Sequence, residues 1–437
     1  MKAALITIGN ELLIGDIINT NAAWMGTFLT QRHISPVYSI TIGDEAEIIT
    51  SALDEALPKA DIVLITGGLG PTHDDITKYI LAEYTGGKLT EHAETRQAII
   101  QNFRQRGIPI SESNLAQAQV PDSAEVLFNA RGTAPGMWFD LKPETHGKKG
   151  IIVAMPGVPS EMKHLMEHKV WPKLSARLGK NGVLFRHYMN TAGIGESTLS
   201  ELTIGDVSAM LTNGVELAFL PHTHGVGLRI TSTGVSEEAA AEKARPLLEH
   251  IRKTAGDFIY SEVYNDTLPA CAGQLLKKKA KTVATAESCT GGLLGSLITD
   301  VPGSSAWYRG SITAYHNELK TALLDVPEAT LAAHGAVSKE TALIMARNAA
   351  QTLGADIGLS TTGIAGPGGG SEEKPVGLVW FGYYDGTHHF ALRAQFFKGR
   401  KLNKERTALV ALDILRRVLS DIPRMPYDAA PQHAEMA

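Results

Sequence analysis

The chain has 437 residues, 43% hydrophobic and 20% charged, with a formal net charge of −5, so it predicts a globular protein of two or three domains with no electrostatic pull toward a polyanion. Two cysteines, Cys271 and Cys289, exclude a disulfide framework and fit a reducing compartment. No apolar run reaches the ~18 residues of a membrane span, and the opening "MKAALITIGNELLIGD" reads as a first strand rather than a signal peptide; a cytoplasmic protein is expected.

Strand-like and helix-like segments alternate over the first ~170 residues. "AALITIG" is a strand, and "NTNAAWMGTFLTQR" has helical spacing. "ADIVLITGG" is an apolar strand entering glycines, followed by the helix "DDITKYILAEYTG", closed by Gly86. "KGIIVAMPGVP" is another buried strand, leading into the helix "SEMKHLMEHKVWPKL". Such alternation implies a parallel sheet covered on both faces.

From about residue 175 to 262, short strands and one charged helix, "SEEAAAEKARPLLEHIRKTAG", form a small α+β module. The α/β alternation then resumes and runs to about Arg424. The closing "PRMPYDAAPQHAEMA" lacks periodicity and reads as a disordered tail.

In "GGLGPTHDD", Gly67, Gly68 and Gly70 let the backbone approach a ligand and leave N–H groups for an anion. Asp74 and Asp75 fall at the expected helix start, as N-caps or as a metal or base site. Glu11, Asp16 and Asn21 in "GNELLIGDIINTN", with Asp44 after the strand in "TIGDE", add polar groups where open α/β sheets bind ligands. The residues by themselves indicate an anion or phosphate site with nearby carboxylates.

"GNELLIGDIINTN", "TGGLGPTHDDIT", "NARGTAPG" and "MPGVPSEM" resemble the N-terminal domain of the CinA family (competence/damage-inducible protein A). That resemblance implies a molybdopterin-binding-like fold and a metal-dependent ADP-ribose pyrophosphatase activity. It carries Asp44 and Asp75 over as the acidic, metal-associated pair, with Glu11, Asn21 and Asp74 beside them. The implied cofactor is a divalent ion (Mg, Mn or Co), with K as a further candidate.

The middle module corresponds by resemblance to a KH-type linker. Its one G-x-x-G, "GKNG" at 179–182, precedes the first strand, whereas a KH clamp needs that loop between two helices, so no nucleic-acid partner is expected. His222 and His224 in "PHTHG" have metal-ligand spacing but no third ligand nearby, and read as an exposed hairpin.

"KTVATAES" is strand-like, "CTGG" a turn and "LLGSLIT" a helix start, a layout that can raise a nucleophile. Ser288 and Cys289 are both candidates, with N–H groups from Thr290, Gly291 and Gly292 to hold an oxyanion; a plain Gly-rich turn capped by Ser288 is the alternative. His316 and His334 lack partner signatures for a base. "AYHNELK" offers Tyr315 and Lys320 instead. A lysine base needs its pKa lowered from ~10.4 to ~7–8, about 4 kcal/mol, and so must be enclosed. "TTGIAGPGGG" with Gly363, Ala365 and Gly366 forms a loop able to approach a ligand closely. Arg393, Arg400, Lys401, Lys404 and Arg406 supply cations for a phosphate or simply a solvated face.

"AESCTGG", "VPGSSAWYRGSITAYHNELK", "GAVSKETALIMA", "TTGIAGPGGG" and "KPVG" resemble the C-terminal CinA domain, a nicotinamide mononucleotide (NMN) deamidase needing no cofactor. The resemblance assigns Ser288 as nucleophile with Lys320 and Tyr315 as its partners. One departure stands out: the family's F-x-G-D-R reads "FKGRK" here, with Arg400 and Lys401 where Asp and Arg are expected.

The expected fold class is therefore α/β: a molybdopterin-binding-like domain over 1–172, a KH-type α+β linker over 173–263, an α/β deamidase domain over 264–424 and a tail over 425–437. The expected partners are the small nucleotides NMN and ADP-ribose, no nucleic acid and no membrane, with the chain as a homodimer.

Overall fold

A computed structural model describes residues 1–143, 149–178, 183–223 and 225–433. The chain divides into two compact units, Met1–Asn181 and Gly182–Ala437.

In the first unit, β1 (Lys2–Ile8) sends Ala4, Ile6 and Ile8 into one core and Ala3 and Leu5 into another, so the strand is buried on both faces. The further strands are β2 (Ser35–Ile42), β3 (Ile62–Thr66), β4 (Leu89–Glu91), β5 (Gln119–Pro121), β6 (Glu125–Leu127), β7 (Gly136–Leu141) and β8 (Gly150–Met155). A six-stranded sheet has the order β2-β1-β3-β8-β7-β6, while β4 and β5 pair separately. Its first four strands are parallel, as alternation predicts; β7 and β6 add an antiparallel edge, making the sheet mixed. Helix Ala46–Ala56 covers one face through Ile49 and Leu53, and helix Thr20–Thr30 covers the other through Met25 and Leu29. Because β2 and β3 lie on opposite sides of β1, the strand order reverses there, and the crevice beyond the strands' C-terminal ends is where such sheets hold ligands.

The second unit starts with an antiparallel sheet of β9 (Val183–Thr191), β10 (Glu216–His222), β11 (Gly225–Gly234) and β12 (Ile259–Ser261), ordered β10-β11-β9-β12. Helix Glu237–Ala255 packs on it, its start capped by the Ser236 hydroxyl, which accepts from the Ala239 N–H at 3.2 Å. The "GKNG" stretch and His224 lie outside the described residues.

A second six-stranded sheet follows: β13 (Val283–Glu287), β14 (Tyr308–Thr313), β15 (Ile357–Gly363), β16 (Leu378–Tyr384), β17 (His389–Gln395) and β18 (Gln432–His433), ordered β14-β13-β15-β16-β17-β18. β14, β13 and β15 are parallel and the rest antiparallel. Helices Leu268–Lys278, Leu293–Thr299 and Arg400–Leu419 fill the core on one face, and Lys339–Leu353 packs against the other.

The middle module is not a free spacer. Asp413 is buried and accepts from Arg416 Nε at 2.7 Å and Arg417 Nε at 2.8 Å. Those guanidiniums reach into the module, to the Asp257 carbonyl at 2.9 Å and the Ala192 carbonyl at 3.1 Å. The tail expected from 425 is also structured in part: Met425 is buried, the Tyr427 N–H donates to the Gly193 carbonyl at 2.8 Å, and β18 pairs with β17. Residues 434–437 lie outside the described residues. Among the described residues, no helix is long and apolar enough to cross a membrane.

Candidate functional site

In the first unit a cavity of about 370 Å³ opens at the C-terminal ends of β1, β3 and β8. Glu11, Asp44, Gly67, Gly68, Gly70, Asp74 and Asp75 all line it, so seven residues singled out in the sequence converge. Gly67 and Gly68 have φ of 111° and 67°, and a Cβ at either would fall 2.1 Å from the Ile8 carbonyl oxygen or Thr77 Oγ1, respectively. Only glycine fits that turn.

The carboxylates are held by local turns. Asp44 Oδ2 accepts from the Asn10 N–H at 3.1 Å. Asp75 accepts from both the N–H and the hydroxyl of Thr72, and the helix begins at Thr77, so neither Asp74 nor Asp75 caps it. Burial raises the Asp44 carboxyl above its ordinary pKa, and Glu11, Asp74 and Asp75 push the same way against the Asn10 N–H. Asp74 is held low by hydrogen bonds from Thr72 and its own backbone.

Asn21 does not face this cavity; its amide donates to the Gly157 carbonyl at 2.7 Å and to Thr66 Oγ1 at 3.2 Å. Two further groups line the cavity and a third lies near Asp75. Glu161 lines the cavity, accepts from the Asn129 amide at 2.6 Å, and is pushed up by burial. Gln117 also lines it and is buried. Lys78 is buried near Asp75, its Nζ donating to the Ala116 carbonyl at 2.6 Å; burial lowers its pKa, opposed by Asp75. Glu161 stands in the quoted "MPGVPSEM", whereas Lys78 looks like an ordinary surface lysine until the fold encloses it.

Among the described residues, no three His, Cys, Asp or Glu side chains are placed to hold a metal ion by themselves. That covers His222 as well as the acidic cluster. The crowded carboxylates around Asp44 are nonetheless hard oxygen donors whose mutual repulsion a cation would relieve, and a magnesium-type ion commonly takes only one or two carboxylates plus phosphate oxygens. The donor set fits such an ion.

In the second unit, β13 ends at Glu287 and the chain turns through Ser288–Gly292 into helix Leu293–Thr299. Gly291 and Gly292 have φ of 61° and 92°, the paired left-handed residues that make the turn. Ser288 is 7% exposed and donates its N–H to the Thr361 carbonyl at 2.9 Å, while the Thr290 and Thr361 hydroxyls pair at 2.8 Å.

Lys320 is 1% exposed, which meets the condition of enclosure. Its Nζ donates to the carbonyls of Ala314 at 2.9 Å and Tyr315 at 3.0 Å. Ala314 in turn donates its N–H to the Glu287 carbonyl at 2.9 Å, which tethers the lysine beside the end of β13. Burial lowers the Lys320 pKa, with the neighbouring Cys289 opposing. Cys289 is buried and its thiol is pushed up to about 12 by burial, the reverse of an activated thiolate.

The oxyanion donors differ from expectation. The Gly292 N–H donates to Glu287 Oε2 at 2.9 Å and the Gly291 N–H to the Ser288 carbonyl at 3.1 Å, so both are spent inside the turn. The Glu287 carboxylate also takes the N–H groups of Leu294 at 3.0 Å and Gly295 at 2.7 Å and the Ser311 hydroxyl at 3.1 Å. It fills the helix start that an oxyanion was expected to use. Of the three expected donors, only the Thr290 N–H is not spent on Glu287 or Ser288, and it lies against the Cys289 sulfur.

Arg400 does reach the site: its guanidinium donates to the Tyr315 hydroxyl at 3.0 Å and to the Gly366 carbonyl at 2.8 Å. The Asn403 amide holds the Ala365 carbonyl at 3.0 Å, so two carbonyls pin the Gly-rich loop to helix Arg400–Leu419. Gly363 has a packing reason instead, since a Cβ there would lie 2.6 Å from the Leu378 carbonyl oxygen. Lys401 is exposed on the same helix. Arg406 donates to the Thr223 carbonyl at 3.1 Å and serves the contact with the middle module. Lys404 is closer to the turn, its Nζ 3.6 Å from where a Gly291 Cβ would lie.

Three known protein families match successive stretches of the chain. Residues 4–176 match the "Probable molybdopterin binding domain" family, 186–261 the "Damage-inducible protein CinA KH domain" and 265–419 the "CinA C-terminal domain". A CinA-like protein of Chloroherpeton thalassium is 43% identical over 424 residues, spanning 96% of this chain and all of the relative. The chain belongs to the CinA-like family. A CinA-like protein of Salinibacter ruber is 43% identical over 420 residues, again 96% of this chain and all of the relative. The crystal structure of a CinA protein from Thermoplasma acidophilum matches 39% of this chain and 96% of its own, at 33% identity and a TM-score of 0.35. The three family matches together run from residue 4 to residue 419 with short gaps, and agree with the mixed α/β architecture there.

Proposed function

We propose that this CinA-family chain is a two-site hydrolase of pyridine and adenosine nucleotides. The second unit converts NMN to nicotinate mononucleotide and ammonia, and the first cleaves ADP-ribose to AMP and ribose 5-phosphate.

One observation carries the deamidase reading: a lysine with 1% exposure and a lowered pKa is tethered through Ala314 to Glu287, the residue before Ser288. Neutral Lys320 accepts the Ser288 proton as Oγ attacks the carboxamide carbon. The N–H of Thr290 would have to turn from the Cys289 sulfur to serve the resulting oxyanion. The C–N bond then breaks, and the proton passes from Lys320 to the leaving ammonia, with Tyr315 positioned by Arg400 at the same rim. Water attacks the acyl-serine and gives a proton to Lys320; the bond to Oγ breaks, Lys320 returns that proton to Ser288 Oγ, and nicotinate mononucleotide is released. Lys404 and Arg400 are the cations for its phosphate. Purified full-length Ser288→Ala and Cys289→Ala variants test this by product analysis on NMN. Loss of turnover only with Ser288→Ala supports it; loss only with Cys289→Ala refutes it.

In the first unit, Asp44 and Asp75 would supply the one or two carboxylates that a divalent ion takes, beside Glu11 and Asp74, and the N–H groups of the Gly67–Gly70 turn would hold the pyrophosphate. Such an ion, when bound, neutralises phosphate charge. The carboxylates orient water toward phosphorus, and Lys78 stabilises the charge of Asp75. A second reading, nucleotide binding without turnover, draws on the lack of any three-ligand metal group among the described residues. Full-length protein with ADP-ribose and Mg, Mn or Co separates the two: AMP and ribose 5-phosphate mean hydrolysis, and saturable binding without product means a binding module.

A further inference from the structure

The family matches end at residue 419, yet the chain beyond them packs on both parts of the second unit. Toward the middle module, the Arg424 guanidinium lies 4.5 Å from the centre of the Phe258 ring, and the Tyr427 N–H holds the Gly193 carbonyl at 2.8 Å. Gly193 has φ of 72°, and a Cβ there would fall 2.6 Å from Asp413 Oδ2 and 3.0 Å from Pro426, so the approach needs glycine. Toward the α/β sheet, Met425 joins the core and β18 pairs with β17. The Tyr427 ring meets Phe396 edge-on, with centroids 6.5 Å apart.

This turn does not hold itself. Tyr427 and Asp428 stand at φ of 54° and 55°, a left-handed pair that costs a non-glycine backbone energy. The Arg424–Asp428 ion pair is exposed and contributes little. The buried Met425 and Pro426 and the two contacts of Tyr427 are what keep the turn in place.

Phe396, 5% exposed, stands immediately before the "FKGRK" run. Its N–H donates to the Gly377 carbonyl at 2.9 Å, and the Gly377 N–H donates to the Ile364 carbonyl at 2.6 Å, in the Gly-rich loop. At the far end of the run, Arg400 and Asn403 hold the Gly366 and Ala365 carbonyls. The run is thus stitched to the loop at both ends, and Tyr427 backs the first stitch.

We propose that Tyr427 is a positioning residue for the second-unit site: residues 424–433 form a strap whose ring backs Phe396 and so sets where Arg400 presents its guanidinium. The kinetic part of the proposal rests on the deamidase reading. Arg400 serves there as a cation for the nucleotide phosphate, so loosening the strap weakens substrate binding rather than bond breaking.

The full chain carrying Tyr427→Ala is compared with the wild type and with Tyr427→Phe. In Tyr427→Ala, KM for NMN should rise roughly tenfold with kcat within about twofold, and Tyr427→Phe, which keeps the ring, should restore the wild-type KM. Amide hydrogen exchange without substrate should be faster over 364–377 and 396–403 in Tyr427→Ala alone. Unchanged exchange in those segments would overturn the strap whatever the kinetics. Faster exchange with an unchanged KM, or a loss confined to kcat, would overturn the positioning role. Tyr427→Phe behaving like Tyr427→Ala would overturn the assignment to the ring. Faster exchange in Tyr427→Ala, where the wild type itself does not turn over NMN, would overturn the deamidase reading and leave the strap standing.

Discussion

The Tyr315 hydroxyl accepts a 3.0 Å hydrogen bond from Arg400, and the same guanidinium holds the Gly366 carbonyl at 2.8 Å. One planar side chain thereby joins the residue beside Lys320 to the Gly-rich loop. The fork geometry is what a lysine lacks. Arg400→Lys and Arg400→Ala should both lower kcat/KM for NMN, roughly ten- to a hundredfold, as expected for losing hydrogen bonds from a charged donor. Tyr315→Phe breaks only one of the two links and should cost less than Arg400→Ala. Steady-state kinetics on the three variants check this order; a larger loss in Tyr315→Phe would assign the chemistry to the tyrosine itself.

Lys320 sets a pH dependence whose sign is fixed by its burial. The folded state lowers its pKa, so between that value and the unfolded value of about 10.4 the unfolded chain binds the extra proton. Stability therefore rises with pH across this window and is lowest below the folded pKa. Lys320→Met should flatten that rise in urea denaturation between pH 7 and 10. The same substitution should cut NMN turnover by roughly 100- to 10,000-fold, as for loss of a general base. Wild-type kcat/KM should climb with pH and level off below the ordinary lysine pKa.

Glu287 holds together the turn that carries Ser288. Its buried carboxylate gathers three backbone N–H groups and the Ser311 hydroxyl. Glu287→Gln keeps the shape but turns an amide N–H₂ toward donors. The expected cost is roughly 2–4 kcal/mol in denaturant unfolding, with turnover falling and the pH profile of the remaining activity unchanged. A shifted profile would instead place Glu287 in proton transfer.

Much of this site could be read along the chain because its pieces are local. The strand–turn–helix around Ser288 follows from apolar residues running into Gly291 and Gly292, and the Lys320 motif sits one strand later. What stayed hidden depends on three-dimensional neighbours. Glu287 looks like the end of a strand until the helix Leu293–Thr299 folds back over it. Arg406 and Lys404 share a basic run, yet helix geometry turns Arg406 toward Thr223 and Lys404 toward Gly291. In the first unit the glycines and aspartates announced the cavity. Lys78 and Gln117 did not, because their burial comes from segments about 40 residues apart in the chain, and the antiparallel β7 edge carries no βα alternation to mark it.

Asp44 offers a test in which stability and function part. Burial and three neighbouring acidic groups raise its folded pKa, so the charged form is disfavoured in the folded state. Its favourable contribution is complete below the unfolded value near 3.9 and is lost as pH rises through the raised folded value. At neutral pH the ionised carboxylate thus weighs against folding. Asp44→Asn should unfold at a higher temperature than the wild type at pH 7, with the difference vanishing in acid below pH 4. A divalent ion at the cluster reverses the balance: adding Mg, Mn or Co should raise the wild-type melting temperature and narrow its gap to the variant. ADP-ribose cleavage should fall at least tenfold in Asp44→Asn under every metal. Thermal scans at pH 4 and pH 7, with and without metal, check each part; a variant less stable than wild type at pH 7 without metal would show that Asp44 is held for its bond to Asn10 rather than for its charge.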